Sequence, residues 1–304
     1  MNNQNGIIVG AGLSGLIAAS AFERMKVVEA GTAPHENHKA VLRFRSNEVG
    51  RLTGIDFKPV TVNKGIWCIK RREFIDPNIR SANQYSMKVS GGLHNRSIWN
   101  LEQATRYIAP GNFYDRLIDK AWHRIEWGAP IDDIPCRGSI STIPMPVMAK
   151  IAMSSDEVIP EFSFAKIVVR RFHIANSNVF QTVYIPHPDT SCYRISITGS
   201  LLIAEFVDEE DKEFDVLAPF GLCPNSVSSQ DEVSTQKYGK IAPIDESWRR
   251  AFMHKMTVDH GVYSLGRFAT WRNILLDDVV KDIDVIKGMM TQDEYGLIRS
   301  FVKR

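Results

Sequence analysis

The chain has no apolar run near the ~18 residues that a membrane-spanning helix requires, which argues against a membrane-embedded protein. Its four cysteines, Cys68, Cys136, Cys192 and Cys223, are widely spaced with no C-x-x-C among them. That spacing argues against a zinc site and a redox dithiol, and it predicts reduced, buried small residues. A basic stretch leading into an uninterrupted apolar segment and a cleavage site is also missing from the N-terminus, so a cytoplasmic location is expected. Nor is there a large charge imbalance: 37 Lys and Arg against 35 Asp and Glu leave +2, which excludes a polycation acting by net charge. What is present is a 304-residue chain of ordinary globular composition, long enough for two domains.

The chain is organised around Gly6-Ile-Ile-Val-Gly10-Ala-Gly12-Leu13-Ser14-Gly15-Leu-Ile-Ala-Ala. A β-branched run opens into G-x-G-x-x-G and then into an alanine-rich segment, which reads as strand, tight turn and helix: the dinucleotide-binding turn. Gly10 permits the turn, Gly12 lets a pyrophosphate approach bare backbone, and Gly15 lets the helix pack on the strand. Phosphates would then lie on the free N–H groups at the helix start, from Leu13 and Ser14 onward, where the helix dipole favours anions. A second β-branched run, Lys26-Val-Val-Glu29, ends in the carboxylate that such a site uses for an adenosine ribose. Glu29 comes slightly early, which predicts a short crossover helix.

Past a polar loop, Leu42-Arg43-Phe44-Arg45-Ser46 reads as a basic strand whose two arginines share one face, suited to a diphosphate or an anionic substrate. His35, Glu36 and His38 form a solvated turn rather than a metal cluster. Ile66–Ile69 suggests a strand. Helical spacing is expected over Leu101–Ile108 and Phe113–Trp122, with Tyr114, Trp122 and Trp127 either lining a cavity or filling a core. Gly138-Ser-Ile-Ser-Thr-Ile-Pro reads as a strand returning to the nucleotide-binding sheet. Lys166–Arg170, Val179–Ile185, Tyr193–Thr198 and Leu201–Phe206 read as an inserted antiparallel sheet, and Cys223–Lys240 as a loop. Near the end a strand closes at Gly266-Arg267, and a helix starts at Asp277, Asp278 and Val279. Lys70-Arg71-Arg72, Arg170-Arg171 and Arg249-Arg250 are further basic groups, each by itself a solvated surface.

The expected fold is therefore α/β: a Rossmann-like FAD-binding domain over residues 1–60, 128–155 and 255–304, with an inserted antiparallel-sheet substrate domain over 61–127 and 156–254. On the N-terminal glycine turn with Glu29, the Ser-Thr-Ile-Pro turn, Tyr184-Ile-Pro-His-Pro-Asp-Thr-Ser-Cys-Tyr193-Arg194 and Gly266-Arg267-Phe-Ala-Thr-Trp271-Arg, the chain resembles the UDP-galactopyranose mutase branch of the flavin amine-oxidase superfamily. The resemblance implies FAD as cofactor. It further implies flavin contacts at Gly266, Arg267 and Asp277, a substrate diphosphate on Arg194, and Trp271 near the substrate phosphates. From the residues themselves, Arg43 on the basic strand and Asp278 and Val279 at the helix start are expected beside the cofactor, and Arg45 joins Arg194 and Trp271 as a candidate catalytic residue.

Two departures shift the functional expectation. The glycine- and histidine-rich loop of those mutases is replaced here by Leu42–Ser46, and their long helical uridine domain has little room between 100 and 127. An FAD-dependent oxidoreductase or lyase acting on an amine-type C–H or C–N bond is expected first. A non-redox sugar-nucleotide mutase and a flavin-binding protein without chemistry are the alternatives. An anionic, phosphate-bearing substrate is expected, with a modified nucleotide in nucleic acid as one form of it, its phosphates on Arg43, Arg45 and Arg194.

Overall fold

The computed structural model describes residues 6–34, 42–95 and 97–294. His35, Glu36 and His38 lie outside them. The chain forms two compact units, one from Met1–Lys58, Tyr107–Phe162 and Pro243–Arg304, the other from Pro59–Arg106 and Ser163–Ala242.

The first unit is built on a five-stranded parallel sheet in the order Val262–Ser264, Ser139–Ser141, Ile8–Val9, Val27–Glu29, Ile125–Trp127. A parallel sheet is covered on both faces, which is why its strands read as unbroken β-branched and small residues. Ile8, Val27 and Ile140 are fully buried. The nine-residue helix Leu13–Ala21 follows the first strand and buries Leu16, Ile17, Ala18 and Ala19.

Helix Phe113–Ala121 buries Phe113, Leu117 and Ala121 in the same core, where Phe113 packs edge-on against Phe44 and Phe57. Residues 107–127 therefore belong to this unit and not to the inserted one, where the sequence reading had placed them. The same holds for 156–162 and 243–254: Phe162 packs on Trp248 and Trp271, and Trp248 stacks on Phe252. Ala104–Ile108 is a strand, not a helix; its Tyr107 and Ile108 pair antiparallel with Phe44 and Arg43.

The second unit holds a sheet ordered Val227–Ile241, Phe164–Ile174, Leu201–Val207, Cys192–Thr198, Phe180–Tyr184, Lys58–Cys68. All neighbours run antiparallel except the last two, which are parallel. Glu73–Ile75 folds back on Lys58–Cys68 as a hairpin. Helix Ile79–Ser90 starts at a reciprocal cap between Asn78 and Ser81. Val227–Ile241, read from sequence as a loop, is a 15-residue strand. Its polar composition hid it, because an edge strand is held by backbone pairing and need not alternate apolar residues.

Among the described residues no helix is long and apolar enough to cross a membrane, no group of His, Cys, Asp and Glu is arranged to hold a metal, and the four cysteines are unpaired. Cys192 is buried as expected; Cys223 is exposed.

A candidate dinucleotide cradle in the first unit

In a parallel sheet the ligand-binding edge lies at the carboxyl ends of the strands. That edge carries Gly10–Gly12, Glu29, Thr142 and Leu265-Gly266. Gly10 has φ +100°, and a Cβ there would fall 2.2 Å from Thr142 Oγ1. The turn is anchored as Gly10 N–H donates to Val28 O at 2.8 Å and the Thr142 hydroxyl to Val9 O at 2.8 Å. At Gly15 a Cβ would lie 1.9 Å from Gly10 O, so only glycine lets this helix sit so close to its strand.

Gly12 differs from both. It caps the helix in extended conformation (φ −72°, ψ 174°) with no side-chain cap hydrogen bond, the first turn holds no acidic residue, and a Cβ at this position would meet nothing within 4 Å. The space beside Gly12 is open, and a helix start leaves its first amide donors available to an anion.

Glu29 stands at the end of the neighbouring strand. Its Oε2 accepts from Ala11 N–H at 2.7 Å and its Oε1 from Gly31 N–H at 2.9 Å. Those two bonds fix the carboxylate and leave one lone pair on each oxygen, enough for two ribose hydroxyls. Tyr114 steadies the same turn by donating its hydroxyl to Ala11 O at 3.2 Å. Neither Tyr114 nor Thr142 received this role from the sequence, since only the fold brings them to the turn.

The far wall comes from the end of the chain. Gly266, at φ +88°, lies so close to Ser14 that a Cβ would sit 2.5 Å from its Oγ. Arg267 follows, half-buried, its guanidinium 5.7 Å from the Phe268 ring. Asp277, 7% exposed in the first turn of helix Leu276–Glu294, accepts from Arg45 N–H at 2.8 Å and Ser46 N–H at 3.0 Å through one oxygen, Oδ1. It thereby ties the basic loop to the helix start. Asp278 caps that helix through Leu275 N–H at 2.9 Å, and the Val279 side chain is core. Arg43 is half-buried on its short strand and Arg45 is exposed just beyond it.

Two expected substrate residues sit differently from their reading. Trp271 is 3% exposed, with φ +45° and its ring edge-on to Phe162 at 4.8 Å. It is a core residue. Arg194, in the second unit, pairs with Glu205 through both Nε and Nη2, the latter at 2.6 Å, while the Tyr193 hydroxyl donates to the same carboxylate at 2.9 Å. Burial pushes the Glu205 carboxyl up, but the guanidinium beside it prevails and holds it below the usual carboxylate range. Burial also pushes the Tyr193 phenol well above its ordinary value. Arg194 is thus an already matched cation.

No family model and no curated protein matches the sequence. Solved structures do match the fold. A reduced UDP-galactopyranose mutase superposes with TM-score 0.65 at 12% identity, covering 96% of this chain and 94% of that one. An oxidoreductase from Methanosarcina mazei gives 0.57 at 10%, covering 94% and 100%. Aklavinone-11 hydroxylase, in a ternary complex with FAD and aklavinone, gives 0.53 at 12%, covering 97% and 64%. The fold is that of the FAD-binding Rossmann-type flavoproteins.

Proposed function

We propose that the chain is an FAD-dependent enzyme of oxidoreductase or lyase type acting on an amine-type C–H or C–N bond. The observation that carries the flavin reading is the open space before Gly12, bounded by an uncapped helix start on one side and the Glu29 carboxylate on the other. An FAD pyrophosphate fits that donor set: bare backbone, outward amides and no competing acidic cap. Leu13, Ser14 and Gly15 would donate N–H groups to phosphate oxygens, and Glu29 would accept the ribose hydroxyls. Asp277 orders the Arg45–Ser46 backbone, and Arg43, Arg45 and Arg267 are the cations proposed for the diphosphate or an anionic substrate. Bound FAD supplies the hydride acceptor; the protein's part is to bind and orient.

Preference for redox chemistry over a sugar-nucleotide mutase rests on the two residues that would hold a UDP-sugar. Arg194 is charge-matched by Glu205 and Trp271 is packed in the core, so neither presents an unbalanced charge or an open ring to a diphosphate. The mutase keeps one supporting observation, the likeness in fold over nearly the whole length of UDP-galactopyranose mutase. Purified protein should show flavin absorption, and anaerobic addition of an amine-bearing substrate should bleach it. Ring interconversion of a UDP-sugar by the reduced protein, with no net flavin oxidation, would replace this reading with the mutase. A stable yellow protein inert to both would leave a flavin carrier.

A further inference from the structure

We propose that the second unit carries a groove that takes an unpaired base of a single-stranded nucleic acid. This goes beyond the flavin reading and does not depend on it, because every residue involved belongs to the second unit. The groove is a cavity of about 500 Å³ whose lining includes Asn63, Lys64, Gly65, Phe74, Gln181 and Phe220. That volume is in the range of small-ligand sites.

Its central feature is Phe74. The residue is 53% exposed, so its ring is open to solvent. It is also held in place. The Phe74 ring meets Trp67 edge-on at 5.2 Å, and it lies across the backbone of Gly65, where a Cβ would come within 2.7 Å of the ring. Glycine at 65 is what lets the ring settle over the strand. The result is a fixed, exposed aromatic platform of the kind on which nucleic-acid bases stack. Val183, 3% exposed and paired with Gly65, contributes to the apolar lining.

The polar lining matches the edge of a base. Asn63 and Gln181 are register partners on adjacent strands, so two carboxamides stand side by side. Asn63 Oδ1 accepts from Gln103 at 2.8 Å, which leaves its NH₂ as the group to donate to a base carbonyl. Lys64, the next residue on that strand, is tethered to Asn100 O at 3.2 Å.

The phosphate contacts come from the hairpin that carries Phe74. Trp67 pairs with Phe74 and Cys68 with Glu73, so the turn beyond them presents Lys70, Arg71 and Arg72, all exposed. Arg71 pairs with Glu73 at 3.1 Å, but both partners are more than half exposed, and such a pair yields readily to phosphate. A stacking ring followed by three cations is the arrangement that tracks a strand: base on the ring, backbone on the charges.

The experiment is fluorescence anisotropy of a labelled oligothymidine of about ten nucleotides with the intact protein, alongside a duplex of the same length and thymidine monophosphate alone. The single strand is expected to bind best. Phe74→Ala should weaken binding about five- to a hundredfold while Phe74→Trp retains it, and Gly65→Ala, which displaces the ring, should act like Phe74→Ala. Removing the tip charges in Lys70→Ala/Arg71→Ala/Arg72→Ala should reduce the slope of log affinity against log salt by about 2. Circular dichroism of each variant checks folding, and the flavin spectrum of each should be unchanged. No binding by the wild type, a preference for duplex, mononucleotide binding as tight as the oligonucleotide, or Phe74→Ala equal to wild type would each overturn the proposal.

Discussion

Two glycines of one turn make opposite predictions, and the pair tests the cradle more sharply than either alone. At Gly12 the backbone angles suit any residue, and an added Cβ touches no protein atom within 4 Å. Gly12→Val should therefore leave the ligand-free fold within about 0.5 kcal/mol of wild type. At Gly15 an added Cβ lands 1.9 Å from Gly10 O, against backbone that cannot swing away. Gly15→Ala should cost roughly 1–3 kcal/mol or more, even after the gain in helix propensity of about 1 kcal/mol. With FAD the order changes. At a concentration one hundred times its dissociation constant, FAD stabilises wild type by about 2.7 kcal/mol, or about 5 °C in Tm for a chain of this size. Gly12→Val should lose that shift entirely, because the valine side chain occupies the space meant for phosphate. Thermal scans with and without FAD, together with the visible spectrum, read all of this. A yellow Gly12→Val protein at full occupancy would refute the cradle, as would ligand-free Gly12→Val destabilised as much as Gly15→Ala.

Glu29→Ala should lower FAD affinity by one to two orders of magnitude by calorimetry, from a loss of roughly 1.5–3 kcal/mol in charge-assisted bonds; unchanged affinity would move the ribose contact elsewhere. Because the carboxyl of Glu205 is held below its ordinary range by Arg194, the pair stabilises at neutral pH, and that stability disappears as pH falls through the depressed value. Arg194→Met should remove this acid dependence and leave the flavin spectrum intact, whereas an unaltered acid profile would show that the pair contributes nothing. Lys88 donates to Ile185 O and Cys192 O at 2.8 Å each, and burial pushes its amine down to about 8. The unfolded chain binds the extra proton between pH 8 and about 10.4, so stability should rise across that window. Lys88→Met should flatten the rise in denaturant melts, and a rise identical to wild type would exclude Lys88 as its source.

The parts that were legible in the sequence are those where local chemistry and fold agree. Three glycines, Glu29, the Ser-Thr-Ile-Pro return and the terminal Gly266-Arg267 each need a specific backbone or charge, and each stands at the sheet's carboxyl edge. What was not legible depends on partners distant in sequence. Arg194 reads as an available anion clamp until the strand register sets Glu205 opposite it. Trp271 is expected near the substrate phosphates, and its packing on Phe162, distant in sequence, makes it core instead. Val227–Ile241 carries no apolar alternation, so only its pairing with Phe164–Ile174 marks it as a strand. Ala104–Ile108 and Phe113–Ala121 look alike by periodicity, and tertiary context made one a strand and the other a helix.

The cradle's two walls are separated along the chain by nearly everything else. Ser14 meets Gly266, and Asp277 reaches Ser46 across 231 residues. During synthesis, at roughly 5–20 residues per second, the glycine turn is made well before its partners Gly266 and Asp277. The second unit, complete by residue 242, can condense while the first is still missing its outer strand Val262–Ser264 and its last helix. Closing contacts so far apart costs loop entropy that must be met before they repay it. The cradle therefore cannot close until Gly266 and Asp277 have been made, however early its glycine turn is in place.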